Sequence, residues 1–291
     1  MAGQAPQWLD PVMRAGFGAR AAVYAIVGGL AVAAAWRGGG AEGTRGALSR
    51  IAQEPWGEAL LLLIGVGLFA YALWRALDGL MDLESYGADA KGAIARVGML
   101  VTGAVHVALG VYCVSLALGE TSGGGGGRTQ GWTAQLLAQD YGRWLVGAIG
   151  LCVVGAGVYY WVKAFTEKYK RNIRSTETTE KLDPAMKAGI VAHGVVVAII
   201  GGFIVWAAWT HDASEAGGLG KAFEEIRAAP SGQILLTVVA AGLVGFALFC
   251  LIQAVYGVVP RAAGLDVVTL GGRTVGDVTG RAKRAARRAA S

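Results

Sequence analysis

Apolar residues in this chain of 291 residues are gathered into long uninterrupted blocks, not spread in the stripes of a soluble amphipathic helix or the alternation of a strand. A bilayer core about 30 Å thick needs roughly 20 apolar residues at about 1.5 Å each. Six blocks reach that length, near 16–36, 57–77, 94–118, 142–165, 187–209 and 231–256. Each predicts a membrane-spanning helix. The first is expected to be retained, because residues 1–13 carry no basic segment and the block is longer than the core of a secretory signal, about 7–15 residues.

The polar residues between the blocks are ordered as well. Each odd-numbered block opens on a basic residue, a spacer and a glycine: Arg14-Ala15-Gly16, Arg96-Val97-Gly98 and Lys187-Ala188-Gly189. Between the two blocks of each pair lies a short amphipathic stretch (46–57, 133–142 and 220–232), and the glycine ending it, Gly57, Gly142 or Gly232, starts the even block. Apolar residues at helical spacing predict short helices lying on one membrane surface. The reading is an all-α integral membrane protein of three tandem two-helix repeats (1–85, 86–180 and 181–259) with pseudo-threefold symmetry, followed by a basic tail at 260–291.

Composition fits this pattern: 54% of residues are hydrophobic and only 16% charged, against about 25% charged in soluble domains. Charge adds sidedness. Of 26 Lys and Arg residues, 19 fall on the side of the termini and 7 on the other. Basic loops stay cytoplasmic, so the chain is expected in a cell membrane with both termini inside. Trp36, Trp56, Trp132, Trp144 and Trp209 then gather at the outer interface, where amphipathic rings settle.

The segments RAGFGARAAVY (14–24) and AQEPWGEALLLLIGVGLFAYALWRAL (52–77), with weaker echoes in the later repeats, resemble a bacterial membrane family known as domain of unknown function 1206. The resemblance covers residues 10–256. It implies the six-helix, three-repeat pattern and no established activity. The A-R-x-x-V-Y segment is complete only in the first repeat; the second reads VTGAVH and the third AHGVVV.

Glycine, at 47 residues, exceeds the usual share of about 7%, and small residues in membrane helices permit close approach. The fourth-position ridges Ala21/Ala25/Gly29/Ala33, Ala148/Cys152/Ala156 and Gly194/Ala198/Gly202 are expected to be packing seams, internal or between subunits.

Polar groups inside the spans are the default candidates for function. Arg20, Thr102 and His193 lie six residues past the opening basic residue of their repeats; Tyr24 and His106 lie one turn deeper, level with Val197. Residues i and i+4 share a helix face, so Arg20, Tyr24, Thr102, His106 and His193 form a candidate polar pocket on matching faces. A candidate ring at the inner ends of the even helices is Asp78, Lys163 and Gln253. Packing explains the same residues too: Arg20 can snorkel to headgroups, and a histidine can bond a neighbouring helix. Bis-histidine haem does not fit, since His106 and His193 differ in depth by roughly 6 Å at 1.5 Å per residue.

Other chemistry is missing from the sequence. There is no phosphate-binding loop, nucleophile elbow or metalloprotease motif. Cys113, Cys152 and Cys250 each lie within a span without CxxC spacing. No cofactor, metal or catalytic residue is expected. Arg281, Lys283, Arg284, Arg287 and Arg288 predict contact of the tail with anionic lipid headgroups rather than nucleic acid. The loop at 168–184 is expected to be mobile. Three functions stay open: a non-enzymatic interaction or structural protein, acting as a homo-oligomer or in a membrane complex; a permease or channel for a small polar species; and, least favoured, a redox protein.

Overall fold

The computed structural model describes residues 8–37, 40–83, 89–120, 127–259 and 269–272. Six long helices, each long and apolar enough to cross a membrane, alternate with short ones. They are α1 (Leu9–Arg37), α3 (Gly57–Met81), α4 (Ala90–Ala117), α6 (Gly142–Phe165), α7 (Glu177–Thr210) and α9 (Gly232–Tyr256). Between the long helices of each pair lie α2 (Thr44–Ile51), α5 (Gly127–Leu137) and α8 (Leu219–Ala228). The spans present Leu63, Val66, Ile94, Leu151, Ile234 and Val238 outward, each more than 60% exposed. Such a surface is compatible with hydrocarbon and not with water. The chain is a multi-pass membrane protein. The five interface tryptophans are each more than half exposed.

Local chemistry explains the helix boundaries. Asp89 caps α4 by accepting from the Gly92 amide at 2.9 Å. Thr176 and Thr179 form a reciprocal capping box at the start of α7. That cap starts α7 ten residues earlier than the apolar block implies. The preceding loop is ordered rather than mobile. A 3-10 turn at Lys168–Asn172 buries Tyr169, whose hydroxyl donates to Asp183, and Lys170 bridges Asp183 at 2.8 Å and Glu167 at 3.1 Å. Ile173 and Arg174 form isolated β-bridges to Gly257 and Thr269.

The six spans pack in the order α4–α3–α1–α9–α7–α6. Each even helix seats on the odd helix of the next repeat, and α9 returns to α1. Two intra-repeat seams are closed by equivalent glycines. In the first repeat a Cβ on Gly16 would lie 2.5 Å from the Tyr71 Cα, and one on Gly67 would lie 2.5 Å from the Ala19 Cβ. In the third, Gly189 meets Gly245 and Phe246, and Gly242 receives Ala192, closer still. The second repeat differs. Among the described residues α4 and α6 form no such seam, and Gly98 and Gly155 have nothing within 4 Å.

Side-chain volume supplies the reason. Where the closed seams pair alanine with glycine, the second repeat has Val101 and Cys152. Both are too bulky for the same close approach. Among the described residues the six long helices therefore form a ring with one open side.

Two of the small-residue ridges do not form internal seams along their length. Ala25 and Gly29 are exposed, and α1 instead meets α9 through Gly28, Val27 and Ala31. Cys152 and Ala156 are exposed as well. In the α7 ridge, Gly194 packs on Trp161 and Ala198 on Gly157, whereas Gly202 is exposed.

The short helices seal one end of the ring. Ala47 and Leu48 of α2 and Ala222 and Phe223 of α8 are fully buried, and Leu48 and Phe223 join a core with Val27, Leu61, Ile64, Leu236 and Ala240. Gly57, Gly142 and Gly232 share one steric role. A Cβ at any of them would strike a carbonyl oxygen of the short helix just before it.

Candidate functional site

A polar and aromatic cluster lies inside the ring, toward the termini. Every span contributes to it: Arg20 and Tyr24 from α1, Tyr71 from α3, His106 from α4, Tyr160 from α6, His193 from α7 and Phe246 from α9. Arg20 is only 4% exposed and donates from Nη1 to the Tyr71 hydroxyl at 2.8 Å. Its guanidinium carbon stands 4.6 Å from the Tyr71 ring centroid, 5.4 Å from Phe246 and 5.5 Å from Tyr24. Cation–π attraction of this kind offsets part of the cost of burying the charge. Among the described residues no carboxylate lies within ion-pair distance of Arg20, and its Nε has no hydrogen-bond partner.

Tyr71 is shared. Its oxygen accepts from Arg20 and also from Arg75 Nε at 3.1 Å, so its two lone pairs are engaged and its proton is available to an acceptor. His106 Nδ1 lies 2.7 Å from the Thr102 carbonyl. A carbonyl can only accept, so that nitrogen carries the proton and the Nε2 of the neutral ring is an acceptor. The His106 ring packs on Tyr71 at 4.6 Å. His193 stacks on Phe246 with centroids 3.9 Å apart and meets Tyr160 edge-on at 4.6 Å and Tyr24 at 5.1 Å. Its Nδ1 is buried without a hydrogen-bond partner.

Of the five residues in the candidate pocket, Arg20, Tyr24, His106 and His193 meet in this cluster. Thr102 turns back to donate to the Gly98 carbonyl of its own helix at 2.7 Å. Tyr71, Tyr160 and Phe246 escape sequence reasoning. They look like ordinary membrane aromatics, and only the alignment of the even helices from Gly57, Gly142 and Gly232 could have placed Tyr71 and Phe246 at one level.

The three residues of the ring expected at the inner ends lie on α3, α6 and α9. Asp78 is fully buried and pairs with Arg75 at 2.9 Å. Lys163 stands over the Phe249 ring at 5.8 Å, and Gln253 is buried on α9. The five basic residues of the tail lie outside the described residues. Among the described residues no group of three His, Cys, Asp or Glu is placed to hold a metal. Cys113 and Cys250 are buried and Cys152 is exposed, all as free thiols.

The fold and this cluster define a class: a six-span membrane protein built from three two-helix repeats around a buried cationic and aromatic core. The chain belongs to the family described as Domain of Unknown Function (DUF1206), whose model matches residues 15–82, 97–167 and 188–257. These matches begin one residue before the three motif glycines. A similar protein is the uncharacterized protein YxxB of Bacillus subtilis (strain 168), 27% identical over 253 residues, covering 86% of this chain and 91% of the relative. No solved structure matches the chain.

Proposed function

We propose that the protein is a non-enzymatic binding protein of the cell membrane that holds a small anionic group against Arg20. The carrying observation is the buried guanidinium, which among the described residues has no carboxylate partner and an orphaned Nε. An isolated buried charge is costly in a low-dielectric interior unless it is paired. The neighbouring groups favour an anion. Tyr71 has a proton to donate, and His193 can donate in the tautomer protonated at Nδ1. Binding is favoured over catalysis because the buried carboxylate nearby, Asp78, is engaged by Arg75.

A transport path receives less support. Between the cluster and the short helices the core is closed by Val27, Ala31, Leu61, Ile64, Leu68, Leu236 and Ala240, each at most 1% exposed. A polar solute would find no acceptors or donors there. The 19-to-7 bias of basic residues favours cytoplasmic termini, with the tail against anionic headgroups. The cluster would then lie in the cytoplasmic half of the bilayer.

The test is purification from the native membrane and mass spectrometry of what remains bound. An anionic ligand is expected with the wild-type protein and with Arg20→Lys at reduced occupancy, but not with Arg20→Gln. Equal retention by Arg20→Gln refutes the reading. A stable protein partner carried by all three variants would favour a structural role instead.

A further inference from the structure

We infer that the open side of the ring, between α4 and α6, is a lateral entrance through which an anionic amphiphile from the bilayer reaches Arg20, its hydrocarbon chain lying along α6. This rests on the anion-binding reading and names the class of ligand.

Three independent observations converge on it. The first is the opening itself. Gly98 is the counterpart of Gly16, sealed against Tyr71, and of Gly189, sealed against Gly245 and Phe246, and Gly155 is the counterpart of Gly245, yet here both face open space.

The second is where the opening leads. The edge helices α4 and α6 contribute His106 and Tyr160 to the cluster. The His106 ring packs on Tyr71, which accepts from Arg20, and Tyr160 packs on His193. The buried donors without partners, Arg20 Nε and His193 Nδ1, thus lie behind the gap between these helices. An oxyanion there meets donors, while anything attached to it must leave between α4 and α6.

The third is where a chain would go. Tyr160, Ala156, Cys152 and Ile149 follow one another along α6 at helical spacing, and Ala156 and Cys152 are exposed. Ile149 and Val146 then line a half-open, mainly apolar pocket of about 260 Å³ beneath α5, with Trp132, Thr133, Leu136 and Ile204. From Tyr160 to Val146 the helix rises about 20 Å at 1.5 Å per residue, the length of an extended chain of about sixteen carbons. A charged head and an apolar tail of that length match the two ends of the path. A free inorganic anion would use the head site alone and leave the apolar run unexplained.

The test uses the full-length protein in detergent with oleate as the long-chain probe and butyrate as the chainless one. Native mass spectrometry reads oleate occupancy, and thermal melting reads stabilisation by butyrate at high concentration. Gly98→Phe and Gly155→Phe place bulk in open space and should leave the unliganded melt unchanged, which separates blocking from misfolding. Expected results are one oleate per chain in the wild type, at least a tenfold loss of occupancy in each phenylalanine variant, and unchanged stabilisation by butyrate in both. Arg20→Gln should lose both responses.

If the phenylalanine variants keep oleate while Arg20→Gln loses it, the entrance is refuted and the anion site stands. If Arg20→Gln keeps oleate, the anion reading fails with it. A dimer that the phenylalanines dissolve would put a second copy of the chain in the opening and overturn the inference.

Discussion

The basic-x-Gly motif recurs three times in sequence but closes only two seams, so one substitution made at each copy should give opposite effects. Gly16→Ala puts a Cβ 2.5 Å from the Tyr71 Cα and 2.6 Å from its amide nitrogen. Carbon atoms in ordinary contact are about 3.5–4 Å apart, so α1 and α3 must part by about 1 Å along a seam that also holds Gly67 and Ala19. The obstacle is backbone and cannot rotate away. Overpacking of this kind costs about 1–3 kcal/mol. The better helix propensity of alanine returns at most about 1 kcal/mol, so a net loss of about 1–2 kcal/mol is expected.

Gly189→Ala faces Gly245 and Phe246 even more closely and should cost at least as much. Gly98→Ala meets nothing and should be neutral, or stabilising by up to about 1 kcal/mol. The assay is reversible unfolding in mixed micelles with rising SDS, followed by far-ultraviolet circular dichroism. If Gly98→Ala destabilises as much as Gly16→Ala, the α4–α6 side is closed and the ring described here is wrong.

Other expectations follow from particular contacts. Gly57→Ala, Gly142→Ala and Gly232→Ala each drive a Cβ into a carbonyl of the preceding short helix; each should lower stability by about 2 kcal/mol in the same assay, and a neutral result at all three would refute the tight turn. Asp78→Asn breaks the pair between a fully buried carboxylate and the partly buried Arg75 and should cost about 3 kcal/mol; a change below about 0.5 kcal/mol would show that Arg75 does not depend on it. At the loop before α7, burial and the bond to Asp183 push the Tyr169 phenol up. Burial pushes Lys170 down, but its bonds to Asp183 and Glu167 outweigh this and leave it raised. Both groups favour protons more in the folded state, so their contribution is complete below about pH 10 and is lost as pH rises through the higher folded values. The melting temperature should fall as pH rises above about 10, and Tyr169→Phe should flatten that slope.

The spans were legible because hydrocarbon demands continuous apolar runs, and the turns because one glycine recurs before every even helix. Arg20 and His193 could be singled out, since a charge or imidazole inside a span stands out against its surroundings. Tyr71, Tyr160 and Phe246 could not, because a membrane aromatic serves equally in a core, at an interface or against lipid. The open seam was hidden for a related reason. Gly98 reads like Gly16 and Gly189, and closure is decided across the seam, where Val101 and Cys152 replace an alanine–glycine pair. Burial told more about the internal seams than spacing did: Ala25 and Gly29 recur at the right interval but lie on an exposed face. The loop at 168–176 reads as polar, yet the Tyr169–Asp183–Lys170 contacts and the Ile173–Gly257 bridge depend on residues distant in sequence.

The seam between α1 and α9 has a consequence for biosynthesis. Arg20 lies on α1 of the first hairpin, yet α9 on its flank belongs to the third hairpin, made after the other two. Until that hairpin arrives, the guanidinium must be sheltered by lipid headgroups, by the insertion machinery or by an early hairpin with α3, whose Tyr71 hydroxyl accepts from it. A chain halted before α9 leaves Arg20 without the Phe246 side of its shelter.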